Sequence, residues 1–270
     1  MYVRGAFEPL FYFEDKKMIT DLKFSERSVL FAKLSKLVYS SDQDHVRSHA
    51  LELGFDSVEY YDSNGAQAYR FSNCCDTVII CRGTEPTCLN DIRADLAAYP
   101  VKSETISRVH WGFKREVDDI WPRVREDLRD RSVLWFGGHS LGGAMATIMA
   151  SRCYHDTDLA DPIEIYTYGS PKVGWSKYID SLGSMKHYRW VNNNDIVACL
   201  PFWILGYRHH GCIQYIDSYG RYVQYFTSDE LRDRWRGFVE GLKNGSIDFF
   251  SDHSIDRYIA AIESYRDRYK

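Results

Sequence analysis

The sequence predicts an α/β fold with a mostly parallel central sheet, flanking helices and an antiparallel hairpin at the sheet edge. The run at 77–81 is apolar and largely β-branched, which is typical of a strand buried on both faces of a parallel sheet. Apolar strand patterns at 133–136, 163–168 and 188–191 follow it, with helical patterns between them. Strands that alternate with helices in this way build a parallel sheet covered on both faces.

Two helical patterns lie between those strands. The segment from Leu141 to Tyr154 is apolar and rich in small residues, as a buried helix is. The stretch from Lys114 to Arg131 is charged and amphipathic, and it contains Pro122. Because proline disrupts the interior of a helix, we expect Pro122 to mark a kink or the true start of the helix.

Ahead of the parallel strands the sequence predicts two helices and a hairpin. Ser25 is placed to cap the first helix, and a shorter helix runs from about Asp44 to Gly54. Asn64-Gly65 then separates two short strand patterns. Because both residues accept positive φ, this pair favours a two-residue hairpin turn.

The C-terminal part adds the edge of the sheet and two more helices. Strand patterns at 212–216 and 222–226 flank a turn and predict the antiparallel hairpin. Helical patterns follow at about 229–243 and 255–269.

Composition excludes several classes of function. The chain has 270 residues, with 34 Lys and Arg against 38 Asp and Glu, a formal net charge of −4. That balance provides no positive field for a polyanion, so nucleic acid is not an expected partner. No apolar run reaches the length of a transmembrane helix. Without repeats or a linker, one domain over 1–270 is expected, and 1–24 is an N-terminal extension that matches no pattern.

The N-terminal residues and the cysteines predict the location. Charged residues interrupt 1–17, so no apolar signal-peptide core follows a basic start. The seven cysteines are an odd number without a CxxC pair, which fits a reduced compartment. We therefore expect a cytoplasmic protein, with secretion by another route left open. No Cys and His cluster has metal-ligand spacing, and neither a metal nor a cofactor is expected.

A candidate nucleophile lies between the second buried strand and the apolar helix. The segment from Gly138 to Gly142 fits the pattern G-x-S-x-G, with Ser140 at its centre. A strand, a sharp turn and a helix are the context this pattern needs, because the turn exposes the serine hydroxyl at the carboxyl end of the strand. Glycines at 138 and 142 remove the Cβ atoms that would clash there, and the Leu141 N–H at the helix start is free to stabilise an oxyanion.

Serine needs an imidazole to accept its proton and a carboxylate to orient that imidazole. Asp195 follows the strand at 188–191 across three asparagines, which places it in a loop at a strand end. Three histidines follow it in the chain: His209, His210 and His253. Position favours His253, in a polar loop before the last helix, and leaves the other two as alternatives.

Several separated segments resemble one family, the class 3 lipases of the α/β-hydrolase superfamily. The matching motifs, in order, are Cys81-Arg82-Gly83-Thr84, Val109-His110-Trp111-Gly112-Phe113, Gly138 to Ala144, Tyr168 to Gly174, Asn194-Asp195-Ile196-Val197, Tyr207 to Gly211, and Asp252-His253-Ser254. The resemblance covers about 26–261 in the family's order. It departs at Cys81, where the family has phenylalanine, and at Glu85-Pro86, where small polar residues are usual.

The resemblance implies the α/β-hydrolase fold and a role for each matching position. Ser140 corresponds to the nucleophile, Asp195 to the orienting acid and His253 to the base. Thr84 and the Leu141 N–H correspond to the oxyanion hole. His110 and His139 also lie in matching motifs, but neither fits the chain order of the triad, so we interpret both as structural hydrogen-bonding residues.

The expected activity is that of a serine carboxylic-ester hydrolase, a lipase of the triacylglycerol type. Leu200, Phe202 and Trp203 follow the acid loop closely, and Leu89 and Ile92 lie in the segment that resembles the lid. These side chains are expected to line the substrate site or touch a lipid surface transiently. The alternative is that they pack into the core.

Alternative activities on the same framework are a phospholipase A1 and a feruloyl-type esterase. A non-catalytic, lipase-like binding protein is a further alternative, disfavoured because all three triad positions are present.

Overall fold

The computed structural model describes residues 18–83, 99–223 and 252–268. Its α-helices are α1 (Phe24–Leu37), α2 (Gln43–Glu52), α3 (Trp111–Leu128), α4 (Leu141–Tyr154), α5 (Ser176–Asp180) and α6 (Ile255–Arg268). Short 3-10 helices lie at Ile19–Asp21, Val197–Cys199 and Trp203–Leu205. Its strands are β1 (Ser57–Ser63), β2 (Ala66–Ser72), β3 (Thr77–Cys81), β4 (Pro100–Lys102), β5 (Arg108–His110), β6 (Leu134–His139), β7 (Pro162–Tyr168), β8 (Gly174–Trp175), β9 (Lys186–Asn192), β10 (Tyr207–Arg208), β11 (Cys212–Ile216) and β12 (Tyr222–Val223).

Within the described residues, eight strands form the central sheet in the order β1-β2-β3-β6-β7-β9-β11-β12. The five strands from β3 to β11 pair in parallel. The hairpin of β1 and β2 continues the sheet antiparallel on one side, and β12 pairs antiparallel with β11 on the other. The predicted mostly parallel sheet with an antiparallel edge hairpin is confirmed.

Two apolar layers cover the faces of this sheet. Successive side chains of a strand point to opposite faces, so Ile79 and Phe136 join the layer of α3, α4 and α5. Their neighbours Val78 and Trp135 join the layer of α1, α2 and α6. A strand buried on both faces must be apolar at every position, which explains the continuous apolar run at 77–81.

A second, smaller sheet was not predicted. Its four short strands lie in the order β10-β8-β5-β4, and every pair in it is antiparallel. Strands of two or three residues are too short to show an alternation of polar and apolar side chains. The small sheet nevertheless holds the end of the loop that follows Asp195, because β10 begins two residues after the 3-10 helix Trp203–Leu205.

Local expectations were mostly confirmed. The turn at Asn64-Gly65 has φ of 52° and 91° and joins β1 to β2. The first helix, however, begins at Phe24 with Lys23 at its N-cap, so Ser25 is not the cap. α3 begins at Trp111 and runs through Pro122. The helix expected at about 229–243 lies outside the described residues.

Asp76, in the turn before β3, ties the N-terminal 3-10 helix to the central sheet. Its side chain is buried. Carboxylate Oδ2 accepts a hydrogen bond from the Ile19 N–H at 2.9 Å, and Oδ1 accepts one from the Trp135 Nε1–H at 2.9 Å. The two donors lie 57 and 59 residues away in the chain, so this one carboxylate joins distant segments.

We expect Asp76→Ala to lower the free energy of unfolding by about 2–4 kcal/mol, because it leaves two buried donors without an acceptor. Asp76→Asn keeps one acceptor oxygen and should lose less. Urea unfolding followed by tryptophan fluorescence measures both values. An alanine variant as stable as the parent protein would contradict the assignment of this carboxylate as a structural link.

Candidate active site

The turn between β6 and α4 consists of Ser140 alone, since β6 ends at His139 and α4 begins at Leu141. Ser140 has φ 58° and ψ −131°. Residues other than glycine rarely adopt positive φ, and strain of this kind concentrates at functional sites. The Ser140 N–H donates to the carbonyl oxygen of Tyr168 at 2.9 Å, which fixes the turn against the end of β7.

Close backbone contacts explain the two glycines that flank the serine. A Cβ atom at Gly142 would lie 2.1 Å from the carbonyl oxygen of Cys81, and one at Gly138 would lie 2.4 Å from the Gly142 carbonyl oxygen. No side chain fits at such distances. The steric requirement predicted for both positions is confirmed.

Asp195 and His253 meet at the carboxyl end of β9. Asp195 is fully buried, in the turn after that strand, and His253 precedes α6. The His253 Nδ1–H donates to Asp195 Oδ2 at 2.9 Å. The Tyr258 hydroxyl donates to the same oxygen at 2.6 Å, and the Val197 N–H donates to Oδ1 at 2.9 Å. The carboxylate therefore accepts three hydrogen bonds from three different segments.

These contacts set the charge of Asp195. Burial by itself would raise its pKa. The neighbouring His253 imidazole and the hydrogen bonds from His253 and Tyr258 outweigh burial and hold the pKa of Asp195 below its ordinary value. The ionised carboxylate accepts the Nδ1–H of His253, so Nε2 is the ring nitrogen that does not face Asp195.

Gly169 brings the serine turn and the acid–histidine pair together. It follows Tyr168, the acceptor of the Ser140 N–H, and has φ 57°. A Cβ atom at Gly169 would lie 2.5 Å from Asp195 Oδ2 and 2.8 Å from His253 Nδ1. The absence of a side chain at the end of β7 is therefore what allows the pair to pack beside Ser140.

Two reactive atoms are left without partners in this arrangement. Ser140 Oγ and His253 Nε2 are buried, and neither forms a hydrogen bond with the described residues. Buried polar groups are normally satisfied, and exceptions are found at functional sites. A hydroxyl and an imidazole nitrogen, both without partners among the described residues, are the groups that a serine nucleophile and its base present.

His139 packs beside His253 and forms hydrogen bonds through both ring nitrogens. Its Nδ1 accepts from the Tyr39 hydroxyl at 2.9 Å, and its Nε2–H donates to the carbonyl oxygen of His253 at 2.7 Å. Burial, with a smaller effect of the nearby His253, lowers the pKa of His139 to about 3. The structure therefore bears out a structural role for His139 as a neutral hydrogen-bonding residue.

The remaining histidine candidates lie elsewhere. His209 Nε2 donates to the carbonyl oxygen of Ala198 at 2.8 Å. The centre of the His210 ring lies 5.6 Å from that of His187. Of these three histidines, His253 is the one that the structure pairs with Asp195. The expectation for His110 is corrected: within the described residues neither ring nitrogen has a hydrogen-bond partner, and the ring stacks on Phe113 with centroids 4.1 Å apart.

The proposed oxyanion hole is described only in part. Leu141 is the first residue of α4, where a helix leaves its N–H without an intrahelical acceptor. Thr84 lies outside the described residues, as do the substrate-site candidates Leu89 and Ile92. A cavity of about 300 Å³ adjoins Leu141 and is also lined by Gly83, Arg82, Gln67 and Glu116.

The other substrate-site candidates lie on the loop after Asp195. Leu200 is half-buried, whereas Phe202 is 45% and Trp203 is 67% exposed. The alternative that this loop packs into the core is therefore wrong for its two aromatic residues.

Sequence reasoning missed two contributors to the site. Tyr258 lies on α6, five residues after His253, and its hydroxyl also accepts the Asn192 N–H at 3.0 Å. Gly169 belongs to a motif quoted above, but its close approach to the Asp195–His253 pair depends on the three-dimensional fold. Tyr258 had one local signal in the sequence: it lies near the start of a helix that follows the candidate base His253.

The described residues contain no group of three His, Cys, Asp or Glu side chains arranged to hold a metal ion. In the same part of the chain, no helix has the length and apolar character needed to cross a membrane.

Comparison with known proteins agrees with this geometry. A family model described as lipase (class 3) matches residues 78–205. A lipase of Rhizomucor miehei is 31% identical over 187 residues, which cover 64% of this chain and 50% of that protein. A secreted mono- and diacylglycerol lipase of Fusarium solani is 35% identical over 97 residues, which cover 35% of this chain and 28% of that protein. The chain thus spans half or less of the length of these relatives.

Solved structures share the fold. A triacylglyceride lipase of Rhizomucor miehei superimposes with a TM-score of 0.60 at 21% identity, covering 73% of this chain and 83% of that one. A mostly parallel sheet with a serine at a strand–helix turn and an acid–histidine pair beside it is the α/β-hydrolase fold. Residues 78–205, just under half of the chain, match the class 3 lipase model, so the chain is similar to that family over this segment.

One expectation is overturned by these relatives. The matched Fusarium solani protein is a secreted enzyme. The cytoplasmic location inferred from the N-terminal residues and the cysteines is therefore wrong.

The buried His139 makes stability depend on pH. Its pKa of about 3 in the folded protein lies below the value of about 6.5 for an unfolded histidine. Between these values the unfolded chain binds a proton that the folded protein does not. Stability from this group is therefore fully present above about pH 6.5 and is lost as the pH falls toward about 3.

The parent protein should lose unfolding free energy as the pH falls from about 7 to about 4. We expect that loss to be smaller in His139→Gln by roughly 3 kcal/mol. Urea unfolding at a series of pH values measures the slope. The control His45→Gln removes an exposed histidine from α2. Equal slopes for the His139 variant and the parent protein would contradict the burial of a neutral imidazole at this position.

Proposed function

We propose that the protein is an acylglycerol ester hydrolase in which Ser140 forms an acyl-enzyme intermediate. The observation that carries this proposal is the hydrogen bond from His253 Nδ1 to the ionised, fully buried Asp195, in a site whose serine hydroxyl has no partner among the described residues. The match of residues 78–205 to the class 3 lipase model supports an ester as the substrate.

The first half of the reaction transfers the acyl group to the enzyme. His253 Nε2 takes the proton of Ser140, and Oγ forms a bond to the ester carbonyl carbon. The carbonyl oxygen becomes an oxyanion, for which the Leu141 N–H and Thr84 are the proposed donors. Collapse of this intermediate breaks the bond to the alcohol, which leaves with the proton from His253.

The second half returns the enzyme to its starting state. His253 takes a proton from water, and the resulting hydroxide attacks the acyl carbon. The bond to Ser140 Oγ breaks, Oγ recovers the proton, and the fatty acid is released. Asp195 stays ionised throughout and stabilises the imidazolium that forms in each half.

Acylglycerols are the favoured substrates because matched relatives are a lipase of Rhizomucor miehei and a secreted mono- and diacylglycerol lipase of Fusarium solani. Half-buried Leu200 supplies apolar surface a few residues after Asp195, in keeping with a fatty acyl chain, whereas Phe202 and Trp203 are exposed to solvent. A panel of tri-, di- and monoacylglycerols, phosphatidylcholine and a feruloyl ester would rank these substrates against the phospholipase A1 and feruloyl-type alternatives.

Ser140→Ala should reduce kcat on emulsified acylglycerol by about a thousand-fold or more, because it removes the group that forms the covalent intermediate. Fatty-acid release in a pH-stat measures the rate. The matched control is Ser151→Ala, which removes another buried serine hydroxyl from the helix that Ser140 precedes. Turnover by the Ser140 variant at the parent rate would refute the proposed nucleophile.

Gly169→Ala tests the geometry of the acid–histidine pair while leaving all three reactive side chains in place. The added Cβ would clash with Asp195 Oδ2 and with His253, so we expect kcat to fall on the order of a hundred-fold, as displacements of about 1 Å do at catalytic groups. Gly54→Ala is the control, since Gly54 also has positive φ but has no atom near its added Cβ. Equal turnover by the two variants would contradict the proposed role of the pair.

A further inference from the structure

We propose that a surface on the small sheet docks the protein onto lipid layers that carry negative charge. The surface consists of the apolar loop 202–205 and three cations, Lys102, Arg108 and Lys177, and is called here the basic apolar surface. The inference rests on the proposed function in naming a lipid layer as the partner, but docking itself requires no hydrolysis.

The apolar part is a run of four consecutive exposed side chains. Phe202 is 45%, Trp203 67%, Ile204 76% and Leu205 49% exposed. Single exposed apolar residues are ordinary, but a contiguous group of large ones marks an interaction site. Tryptophan and phenylalanine are also the side chains that peripheral proteins place at the boundary between headgroups and acyl chains.

The fold holds this loop in its exposed position. Leu205 N–H donates to the Phe202 carbonyl oxygen at 3.0 Å, and Arg208 donates to the Trp203 carbonyl oxygen at 2.8 Å. Gly206 ends the 3-10 helix in the left-handed conformation. The next residue, Tyr207, pairs with Trp175 in the small sheet. The hydrogen-bonded backbone therefore holds the four side chains in exposed positions.

The cations lie around a cleft of about 810 Å³ next to the loop. Lys102, Arg108 and Lys177 line it together with Ile204 and Leu205, and no carboxylate of the described residues lines it. All three cations are exposed, and none forms an ion pair within the described parts of the chain. In a chain of net charge −4, this local excess of positive charge is complementary to an anionic surface.

Arg108 links the charged and apolar parts. Its guanidinium lies 5.4 Å from the centre of the Trp175 ring and donates to the Pro100 carbonyl oxygen at 3.1 Å. Trp175 in turn lies under Gly206, where its Nε1 would be 3.1 Å from an added Cβ. The cations and the apolar loop are therefore connected through the contact of Arg108 with Trp175 and of Trp175 with Gly206.

The surface lies close in the chain to the candidate site without being part of it. Asp195 accepts the Val197 N–H, and the loop reaches Phe202 a few residues later. Ser140 and Asp195 follow strands of the eight-stranded sheet and His253 precedes α6, whereas the basic apolar surface lies on the four-stranded sheet. Docking through it would hold the candidate site near the lipid layer and would not occupy the site.

A lipid layer fits the surface better than a second copy of the chain. A two-fold symmetric contact places the same patch of each copy against the other. Here that contact would set Lys102, Arg108 and Lys177 near their own counterparts. Anionic headgroups would instead meet the cations while the acyl chains below them receive the apolar loop.

Docking is measured by co-sedimentation of the full chain with vesicles, in a Ser140→Ala background that prevents hydrolysis of the lipid. One set of vesicles is pure phosphatidylcholine, and the other contains one-third phosphatidylserine. We expect tighter binding to the anionic set, with a partition coefficient that falls as salt is added. Binding is read from sedimentation and not from turnover, so the docking proposal can fail while the proposed nucleophile stands, and the reverse.

Two groups of variants separate the charged and apolar contributions. Replacing Lys102, Arg108 and Lys177 by glutamine should weaken binding to anionic vesicles by more than about tenfold, since each cation near such a surface contributes about five-fold. The matched control replaces Lys23, Lys33 and Lys36 of the α1 region by glutamine, on the opposite side of the central sheet. The net charge changes equally in both.

Trp203→Ser with Ile204→Ser should weaken binding on the order of tenfold, and Leu51→Ser, an exposed apolar residue of α2, should not. Thermal unfolding of every variant shows that the fold is retained, and the salt dependence of the parent protein tests the charge contribution without any substitution.

Equal binding of the parent protein to both sets of vesicles would overturn the proposal, and so would equal binding by the two glutamine triple variants. A dimer in analytical ultracentrifugation that dissociates on Trp203→Ser would also overturn it, because the surface would then serve self-association.

Discussion

A carboxylate without solvent contact must obtain its hydrogen bonds from the protein, and Asp195 obtains them from three places in the chain. The donors are the N–H of Val197 in the turn just after it, the imidazole of His253 and the hydroxyl of Tyr258 on α6. Loss of any one leaves a buried charge less well satisfied. The turn after β9, the loop before α6 and the first part of α6 are therefore positioned by the same charge that orients the His253 imidazole.

Close backbone packing is the second condition on the site. Gly142 lies against the carbonyl of Cys81, and Gly169 lies against the Asp195–His253 pair. These two glycines serve different purposes: the first lets α4 cross the end of β3, and the second lets a polar pair approach the end of β7. With Ser140 hydrogen-bonded to Tyr168, the three neighbouring strands β3, β6 and β7 converge on one point.

The sequence predicted most of the central sheet because its strands are buried on both faces and thus apolar at every position. Ser140, Asp195 and His253 were also proposed from the sequence, since each lies in a short motif whose order along the chain is informative, and the structure joins two of them by a hydrogen bond. The four-stranded sheet was missed because its strands are two or three residues long. Tyr258 and Gly169 were missed because their roles depend on contacts across 63 residues and on backbone approach, neither of which has a local pattern. The location was wrong because it was inferred from what the N-terminal residues lack.

The separation of Asp195 and His253 by 58 residues also has a consequence for synthesis. When Ser140 and Asp195 have left the ribosome, His253 has not yet emerged from it. The partial chain therefore carries a serine without its base, and the carboxylate without two of its three donors. Under the proposed mechanism, a nascent chain has no complete set of reactive side chains until α6 has been synthesised and has packed against the central sheet.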